Sequence, residues 1–320
     1  MKITKDLIAI KCGLKYNKEV ILDQDNVYDF VLRHQEWFET IELGLGKDHM
    51  EYGYFSDGTL YKVGVKDHLI ERIVIVSKTK GYTRIKGTLS YDGSMFSGFQ
   101  VQSNDRSVQG ELEKILSEIH HEETRIAGAS RTDAGVHALN QVFHFDTTRS
   151  DDLDRWLYYF HRRAPKDMYV KDLEIVHPLF HSRYDVLKKE YRYRINTSEY
   201  NPLMRNYEWF VPGLDIARLE KEMETLLGTH DFSSFSKGEK EDKTRTIFTS
   251  SVVQHPGYIE LVFEGDGFLR YMIRLIVSAL VKISLGKLDT TMALLLEEKS
   301  RLQTVHLAPA GGLYLTKIEY

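Results

Sequence analysis

The chain has 320 residues, of which 42% are hydrophobic and 28% are charged, and this is the composition of an ordinary globular protein. Its one cysteine, Cys12, excludes an internal disulfide and a cysteine-based zinc site, and it favours a reducing, cytoplasmic setting. The net charge of −4 excludes a generally basic surface, so any site for a polyanion is expected to be a local patch of Arg and Lys. No apolar run approaches the roughly 18 residues of a membrane span.

Residues 1–82 predict a small α+β unit of unknown role. Apolar residues at helical spacing between Val27 and Phe38 indicate an amphipathic helix. Three strand-like runs follow, at Met50–Tyr54, Leu60–Val65 and Arg72–Val76. The segment holds 12 basic and 13 acidic side chains, and this balance disfavours a dominant role in binding phosphates.

The rest of the chain predicts two α+β halves, residues 83–185 and 186–320, that share one sheet. In the first half, strands are predicted at Arg84–Tyr91 and Gln141–Thr147, with helices after Ser107 and Ser150. In the second half, strands are predicted at Glu190–Ile195, Tyr258–Phe263 and Leu313–Tyr320, with helices from Ile216 to Leu226 and from Phe268 to Ile283. Several strands follow one another without an intervening helix, which disfavours a doubly wound parallel sheet.

The segment richest in chemical groups runs from Ala129 to Ala138 and contains Arg131, Asp133 and Gly135. In an extended segment, residues two apart share a face, so Arg131 and Asp133 could both point into one cleft. A neighbouring arginine favours the ionised carboxylate, which suits a nucleophile or a general base. The alternative is a loop in which Asp133 caps a turn and pairs with Arg131. His137 has no second candidate ligand at a recognisable spacing and is interpreted as structural.

A second segment, residues 188–195, alternates aromatic and basic side chains. Tyr191 and Tyr193 are predicted on one face of a strand, and Arg192 and Arg194 on the other. Aromatic rings can stack on unpaired bases while cations hold phosphates. An ordinary strand with one wet face explains the same pattern.

A third segment, Phe268–Arg274, places Arg270 and Arg274 four residues apart. This spacing predicts both arginines on one side of a helix whose other side is apolar. There they could reach phosphates or a carboxylate in a cleft, although a solvated arginine pair has the same spacing.

The order of short motifs along the chain is more specific than any one of them. These motifs are Tyr91-Asp92-Gly93, Gly98-Phe99-Gln100, Val108-Gln109-Gly110, Ser130-Arg131-Thr132-Asp133-Ala134-Gly135-Val136-His137, Lys189-Glu190-Tyr191-Arg192-Tyr193, Gly228-Thr229-His230-Asp231-Phe232, Met272-Ile273-Arg274 and Ala308-Pro309-Ala310-Gly311-Gly312. In this order they resemble the TruA family of tRNA pseudouridine synthases over residues 84–320.

The resemblance implies a role for each of four residues. Asp133 is expected to be the catalytic residue, and Arg131 to help open the RNA stack or to hold the space that the base vacates. Tyr191 is expected to stack against the target base, and Arg274 to pair with the catalytic carboxylate. Candidate contacts to the RNA backbone are the basic side chains Lys188, Lys189, Arg192, Arg194 and Arg270.

The fold implied is α+β, with two α+β halves sharing a long mixed, mostly antiparallel sheet that has helices on one side. Here a small N-terminal α+β unit precedes them. The family acts as a homodimer on tRNA and modifies uridines in the anticodon stem-loop. The reaction involves no net redox change and no hydrolysis, so neither a metal nor an organic cofactor is expected.

Two alternatives to this function stay open. The first is the same chemistry on uridines elsewhere in RNA, because one sequence does not reveal the surface that selects a substrate. The second is a non-catalytic RNA-binding or folding protein on the same scaffold, which Asp133 disfavours because binding alone does not require the carboxylate. A glycosidase with paired carboxylates is disfavoured because no motif places a second acid.

Overall fold

The computed structural model describes two sets of residues. In the N-terminal segment it describes the backbone of residues 18–20, 40–45, 50–56, 59–66 and 69–78. Backbone and side chains are described for residues 83–103, 105–176, 180–237 and 242–320. The helix predicted between Val27 and Phe38 lies outside the described residues.

The N-terminal segment contains a five-stranded antiparallel sheet. Its strands are β1 (Lys18–Val20), β2 (Thr40–Leu45), β3 (Met50–Ser56), β4 (Thr59–Lys66) and β5 (Leu69–Lys78). The order across the sheet is β1-β5-β4-β3-β2, so four successive strands form a meander and the first strand pairs with the last. The three strands predicted in this segment are therefore confirmed.

A mixed ten-stranded sheet forms the rest of the fold. Its strands are β6 (Thr83–Tyr91), β7 (Ala127–Gly128), β8 (His137–Thr147), β9 (Met168–Val176), β10 (Lys188–Asn196), β11 (Trp209–Phe210), β12 (Gly228–Asp231), β13 (Thr244–His255), β14 (Tyr258–Gly265) and β15 (Leu313–Glu319). The main order is β12-β13-β14-β10-β15-β8-β6-β9, with β11 paired to β10 and β7 to β8. The pairing of β15 with β8 is parallel, whereas β10 is antiparallel to both β14 and β15. The predicted α+β class and the mixed sheet are confirmed.

Five helices accompany this sheet in the described part of the chain. They are α1 (Val108–His120), α2 (Leu153–Arg163), α3 (Ile216–Glu224), α4 (Met272–Ser284) and α5 (Met292–Glu298). The Ser107 hydroxyl caps α1 by accepting a hydrogen bond from the Gly110 N–H at 3.2 Å, as the sequence predicts. Eleven of the thirteen residues of α4 are buried, so this helix belongs to the core. None of these helices has the length and apolar character needed to span a bilayer.

The chain divides into two compact units that interleave along the sequence. The first comprises residues 1–87, 143–156 and 173–185, and the second comprises residues 88–142, 157–172 and 186–320. All the residues predicted for the site lie in the second unit. The domain boundaries predicted after residues 82 and 185 stay predictions.

Candidate active site

Asp133 lies in a loop, residues 129–136, that connects β7 to β8. A pair of hydrogen bonds joins the start of this loop to the buried side chain of Gln141. The Ser130 N–H donates to Gln141 Oε1 at 3.1 Å, and Gln141 Nε2 donates to the Ser130 carbonyl oxygen at 2.8 Å. Because one side chain satisfies both backbone groups, the entry of the loop has a fixed position on β8.

Side chains of the loop alternate between buried and accessible positions. Ser130 and Thr132 are buried, and the Thr132 hydroxyl is hydrogen-bonded to the Tyr91 hydroxyl at 2.7 Å. Arg131 is exposed, and Asp133 is partly exposed. The buried alternate residues therefore leave the carboxylate of Asp133 accessible to a substrate.

Two glycines let the loop adopt its path. Gly98 has a φ of +101°, and a β-carbon at this position would lie 2.8 Å from the Thr132 carbonyl oxygen. Gly135 has a φ of +78° and lies within a sharp turn that is closed by a hydrogen bond from the Val136 N–H to the Asp133 carbonyl at 3.1 Å. Residues with a β-carbon rarely adopt such angles, so both positions favour glycine.

Arg274 brings a positive charge to Asp133 from the first turn of α4. Its Nη1 lies 3.4 Å from Asp133 Oδ2, and both side chains are largely buried. Nε of the same guanidinium donates to the Ala308 carbonyl at 2.8 Å. The guanidinium is thus held between the backbone and the carboxylate, although 141 residues separate the two ends of the ion pair.

The electrostatic environment of Asp133 combines burial with positive charge. Burial raises the pKa of this carboxyl above its usual range, and the charges of Arg274 and Arg270 oppose part of that rise. A partly desolvated carboxylate that an arginine keeps ionised is suited to act as a nucleophile or as a base.

Strand β10 holds the loop at two points. Lys189 Nζ donates to the Ala129 carbonyl at 2.7 Å, and the Tyr191 and Ser130 hydroxyls are hydrogen-bonded at 2.6 Å. The Tyr191 ring meets Phe268 edge-on, with 5.2 Å between the ring centroids. Burial raises the pKa of Tyr191 to about 12, and the negative charge of Asp133 adds to this rise, so the tyrosine stays neutral beside the carboxylate.

The predicted placement of Arg270 on the same helix as Arg274 is wrong. Tyr271 has a φ of +65°, in the left-handed region, and α4 begins only at Met272. Arg270 therefore precedes the helix and is exposed, with its Nη2 donating to the Tyr271 hydroxyl at 3.2 Å. Its charge still acts on Asp133.

Three of the cations proposed as RNA contacts make ion pairs with acidic residues. Lys188 Nζ lies 3.1 Å from Glu264 and 3.2 Å from Glu319. The guanidinium groups of Arg192 and Arg194 both contact Glu260, at 3.1 and 2.8 Å. These cations alternate along β10 with Lys189 and Tyr191, which hold the loop. The structure therefore does not bring Lys188, Arg192 and Arg194 together with Asp133.

His137 has internal partners at both ring nitrogens. Its Nδ1 accepts from the Gly93 N–H at 3.0 Å, its Nε2 lies 2.8 Å from the Asn206 carbonyl oxygen, and the ring stacks on Tyr314 at 4.8 Å. This agrees with its interpretation as structural. Among the described residues, no group of three or more His, Cys, Asp or Glu side chains could hold a metal ion.

Residues 89–185 and 223–320 match the sequence profile of the family described as tRNA pseudouridine synthase. The match covers more than half of the chain, and the chain belongs to this family. The matched region begins at residue 89, so the N-terminal five-stranded sheet lies outside the match.

Individual relatives agree with the family match. A tRNA pseudouridine synthase A of Staphylococcus aureus is 39% identical over 240 residues, which are 73% of this chain and 90% of the relative. That of a Geobacillus species is 40% identical over 243 residues, which are 74% of this chain and 98% of the relative. That of Staphylococcus saprophyticus is 40% identical over 240 residues, which are 73% and 90% of the two chains.

Proposed function

We propose that this protein isomerises uridine to pseudouridine in the anticodon stem-loop of tRNA, with Asp133 as the catalytic residue. The observation that carries the proposal is the ion pair of Asp133 and Arg274 beside the buried Tyr191, in a chain of the tRNA pseudouridine synthase family. The site supplies one carboxylate, two arginine charges and aromatic rings, which suits a reaction on a nucleoside.

The reaction rearranges bonds within one nucleotide. The bond from C1′ of the ribose to N1 of uracil breaks, the base turns, and C1′ bonds to C5, which afterwards loses its proton while N1 gains one. Asp133 starts this sequence either by attacking C1′ or by removing a ribose proton to give a glycal. Both routes need the carboxylate ionised, which the charge of Arg274 favours.

The target base must leave its stack before Asp133 can reach C1′, at a cost of a few kcal/mol. Arg131 is exposed next to Asp133 in sequence, and we assign it the task of helping to open the RNA stack. Tyr191 and Phe268 form an aromatic wall beside the carboxylate, against which the extruded base stacks.

Of the five cations that the sequence offers as contacts to the RNA backbone, one is kept as a candidate here. Arg270 is exposed beside the site and is kept as a candidate. Lys189 is hydrogen-bonded to the loop of residues 129–136. Lys188, Arg192 and Arg194 form ion pairs with carboxylates. These four cations are therefore assigned to stabilising the fold. A cytoplasmic homodimer that grips one tRNA completes the proposal, with residues 1–82 as an added unit.

The deciding experiment maps pseudouridine in unmodified tRNA after incubation with the wild-type chain or with Asp133→Asn. Conversion in the anticodon stem-loop by the wild type only is expected, with a loss of at least about 10²- to 10⁴-fold in the variant. Near-normal turnover by Asp133→Asn would remove Asp133 from the mechanism. Conversion at other positions would keep the enzyme and change its substrate, whereas tight binding without conversion would support an RNA-binding protein on this scaffold.

A further inference from the structure

Three cations surround the ring of Tyr271. The guanidinium carbon of Arg270 lies 4.9 Å from the ring centroid, that of Arg274 lies 5.8 Å away, and the ammonium of Lys237 also lies 5.8 Å away. The backbone N–H of Lys237 donates to the backbone carbonyl of Arg270 at 3.2 Å, and this hydrogen bond joins the two chain segments. The ring thus gathers three positive charges in a small region.

The backbone of Tyr271 contributes to this arrangement. Among the described residues, only Tyr271 and two others have a positive φ without being glycine. The left-handed conformation is unfavourable for a residue with a β-carbon. Here it separates Arg270 from α4, and the Arg270 side chain lies back over the tyrosine ring.

The three cations differ in their partners. Arg274 is paired with Asp133. Lys237 and Arg270 are exposed, and among the described residues no carboxylate lies within ion-pair distance of either. Both exposed cations lie within 6 Å of the Tyr271 ring centroid, and positive charges gathered at one place on the surface attract an anion. Arg192 and Arg194, by contrast, already share Glu260.

We infer that Lys237 and Arg270 bind an RNA phosphate that adjoins the target nucleotide. The inference rests on the proposed function and specifies where the substrate backbone lies. Arg274 links the cluster to the reaction, because it contacts both Asp133 and the Tyr271 ring. Asp133 must meet the ribose of the target, so the nearest RNA anions are the phosphates on either side of that nucleoside. Lysine and arginine are the side chains that proteins use for such contacts.

The first test measures tRNA binding as a function of salt, in the Asp133→Asn background so that no turnover occurs. The double variant Lys237→Ala/Arg270→Ala is compared with the control Arg218→Ala/Lys287→Ala. The control removes an exposed arginine and an exposed lysine near the other end of α4. A hydrogen bond from the Ser284 hydroxyl to the Asp215 carbonyl joins the two control segments there. The first pair is expected to raise Kd about tenfold and to reduce the slope of log Kd against log salt by about 0.7 to 0.9. The second pair should leave both quantities at the Asp133→Asn value.

The second test neutralises the phosphate instead of the protein. tRNAs are prepared with one uncharged methylphosphonate at either phosphate adjoining the target uridine. One of the two substitutions is expected to weaken binding to Asp133→Asn and to have no further effect when Lys237 and Arg270 are also alanine. The inference is overturned if the alanine pair binds like its control, or if the methylphosphonate weakens binding equally in both proteins.

The two proposals fail in different ways. If the wild-type chain forms no pseudouridine in the same tRNA, the proposed function is wrong. If pseudouridine forms while the changes at Lys237 and Arg270 alter neither Kd nor its salt dependence, only the phosphate site is wrong.

Discussion

The ammonium group of Lys189 donates a hydrogen bond to the carbonyl oxygen of Ala129 at 2.7 Å, and so joins the central strand β10 to the first residue of the Asp133 loop. Two residues along the same strand, Tyr191 makes the second attachment, to Ser130. The carboxylate is therefore positioned by a strand whose sequence suggested contacts with RNA.

Lys189→Met should loosen the Asp133 loop, because it keeps most of the aliphatic stem and removes the charged donor. A hydrogen bond from a charged group contributes roughly 1.5–3 kcal/mol, so the free energy of unfolding should fall by about 1–2 kcal/mol at this partly exposed position. Turnover should fall more than tRNA affinity does. Lys171→Met is the matched control, since Lys171 donates to Asn140 at an exposed position. An unchanged kcat together with a large rise in Kd would instead assign Lys189 to the RNA backbone.

The pH dependence of kcat/KM should reveal the environment of Asp133. Burial raises its pKa, so activity is expected to be lost on acidification at a higher pH than an ordinary aspartate would give. Arg274→Gln removes a charge that favours the ionised form, and this moves the acid limb further towards neutral pH. Arg274→Lys keeps the charge and should leave the limb closer to that of the wild type. An acid limb that is the same in all three proteins would show that this ion pair does not control the titrating group.

Gly98→Ala should damage the Asp133 loop through a steric clash as well as through backbone strain. The new β-carbon would lie 2.8 Å from the Thr132 carbonyl, at a φ of +101°. Gly213 also has a positive φ, but a β-carbon there meets nothing within 4 Å, so Gly213→Ala isolates the strain, which costs roughly 1–2 kcal/mol. Thermal unfolding should show the larger loss for Gly98→Ala, and only that variant should lose turnover. Equal losses of stability with normal turnover in both would show that the loop adapts.

Tyr191→Phe and Ser130→Ala form a double-mutant cycle across the buried hydroxyl pair. Each single change leaves the other hydroxyl without this partner and should cost about 1–2 kcal/mol in the free energy of unfolding. The double variant should cost less than the sum, by about 1 kcal/mol. Tyr191→Phe keeps the ring for base stacking, so its turnover should exceed that of Tyr191→Leu. Strict additivity of the stabilities would mean that the two hydroxyls do not act as a pair.

Local sequence patterns predicted the parts of this protein that depend on near neighbours. The alternation of aromatic and charged side chains along Glu190–Ile195 correctly predicted a strand. The capping hydroxyl of Ser107 correctly predicted where α1 begins. The strands β9 and β13 were missed because their exposed residues interrupt a regular apolar pattern. The helix predicted from Phe268 starts four residues later because Tyr271 adopts a conformation that residues with a β-carbon seldom take.

Contacts between distant segments were harder to predict. The ion pair of Arg274 with Asp133 was expected only from the family resemblance, since no local spacing joins residues 141 positions apart. The neutralisation of Arg192 by Glu260 depends on the register of β10 against β14, which a single sequence does not fix. The attachment of Lys189 to Ala129 likewise appears only when strand and loop are brought together.

The place of β15 in the sheet bears on how the protein is made. This strand lies between β10 and β8, and its parallel pairing sets Tyr314 opposite His137 at the exit of the Asp133 loop. A ribosome therefore releases the Asp133 loop long before it releases the strand beside it. Until β15 has emerged, β8 and β10 lack the strand that lies between them, and their backbone groups on that side have no partner. Pairing between segments so far apart in sequence is also slow to form. The candidate active site is completed only after most of the polypeptide has been synthesised.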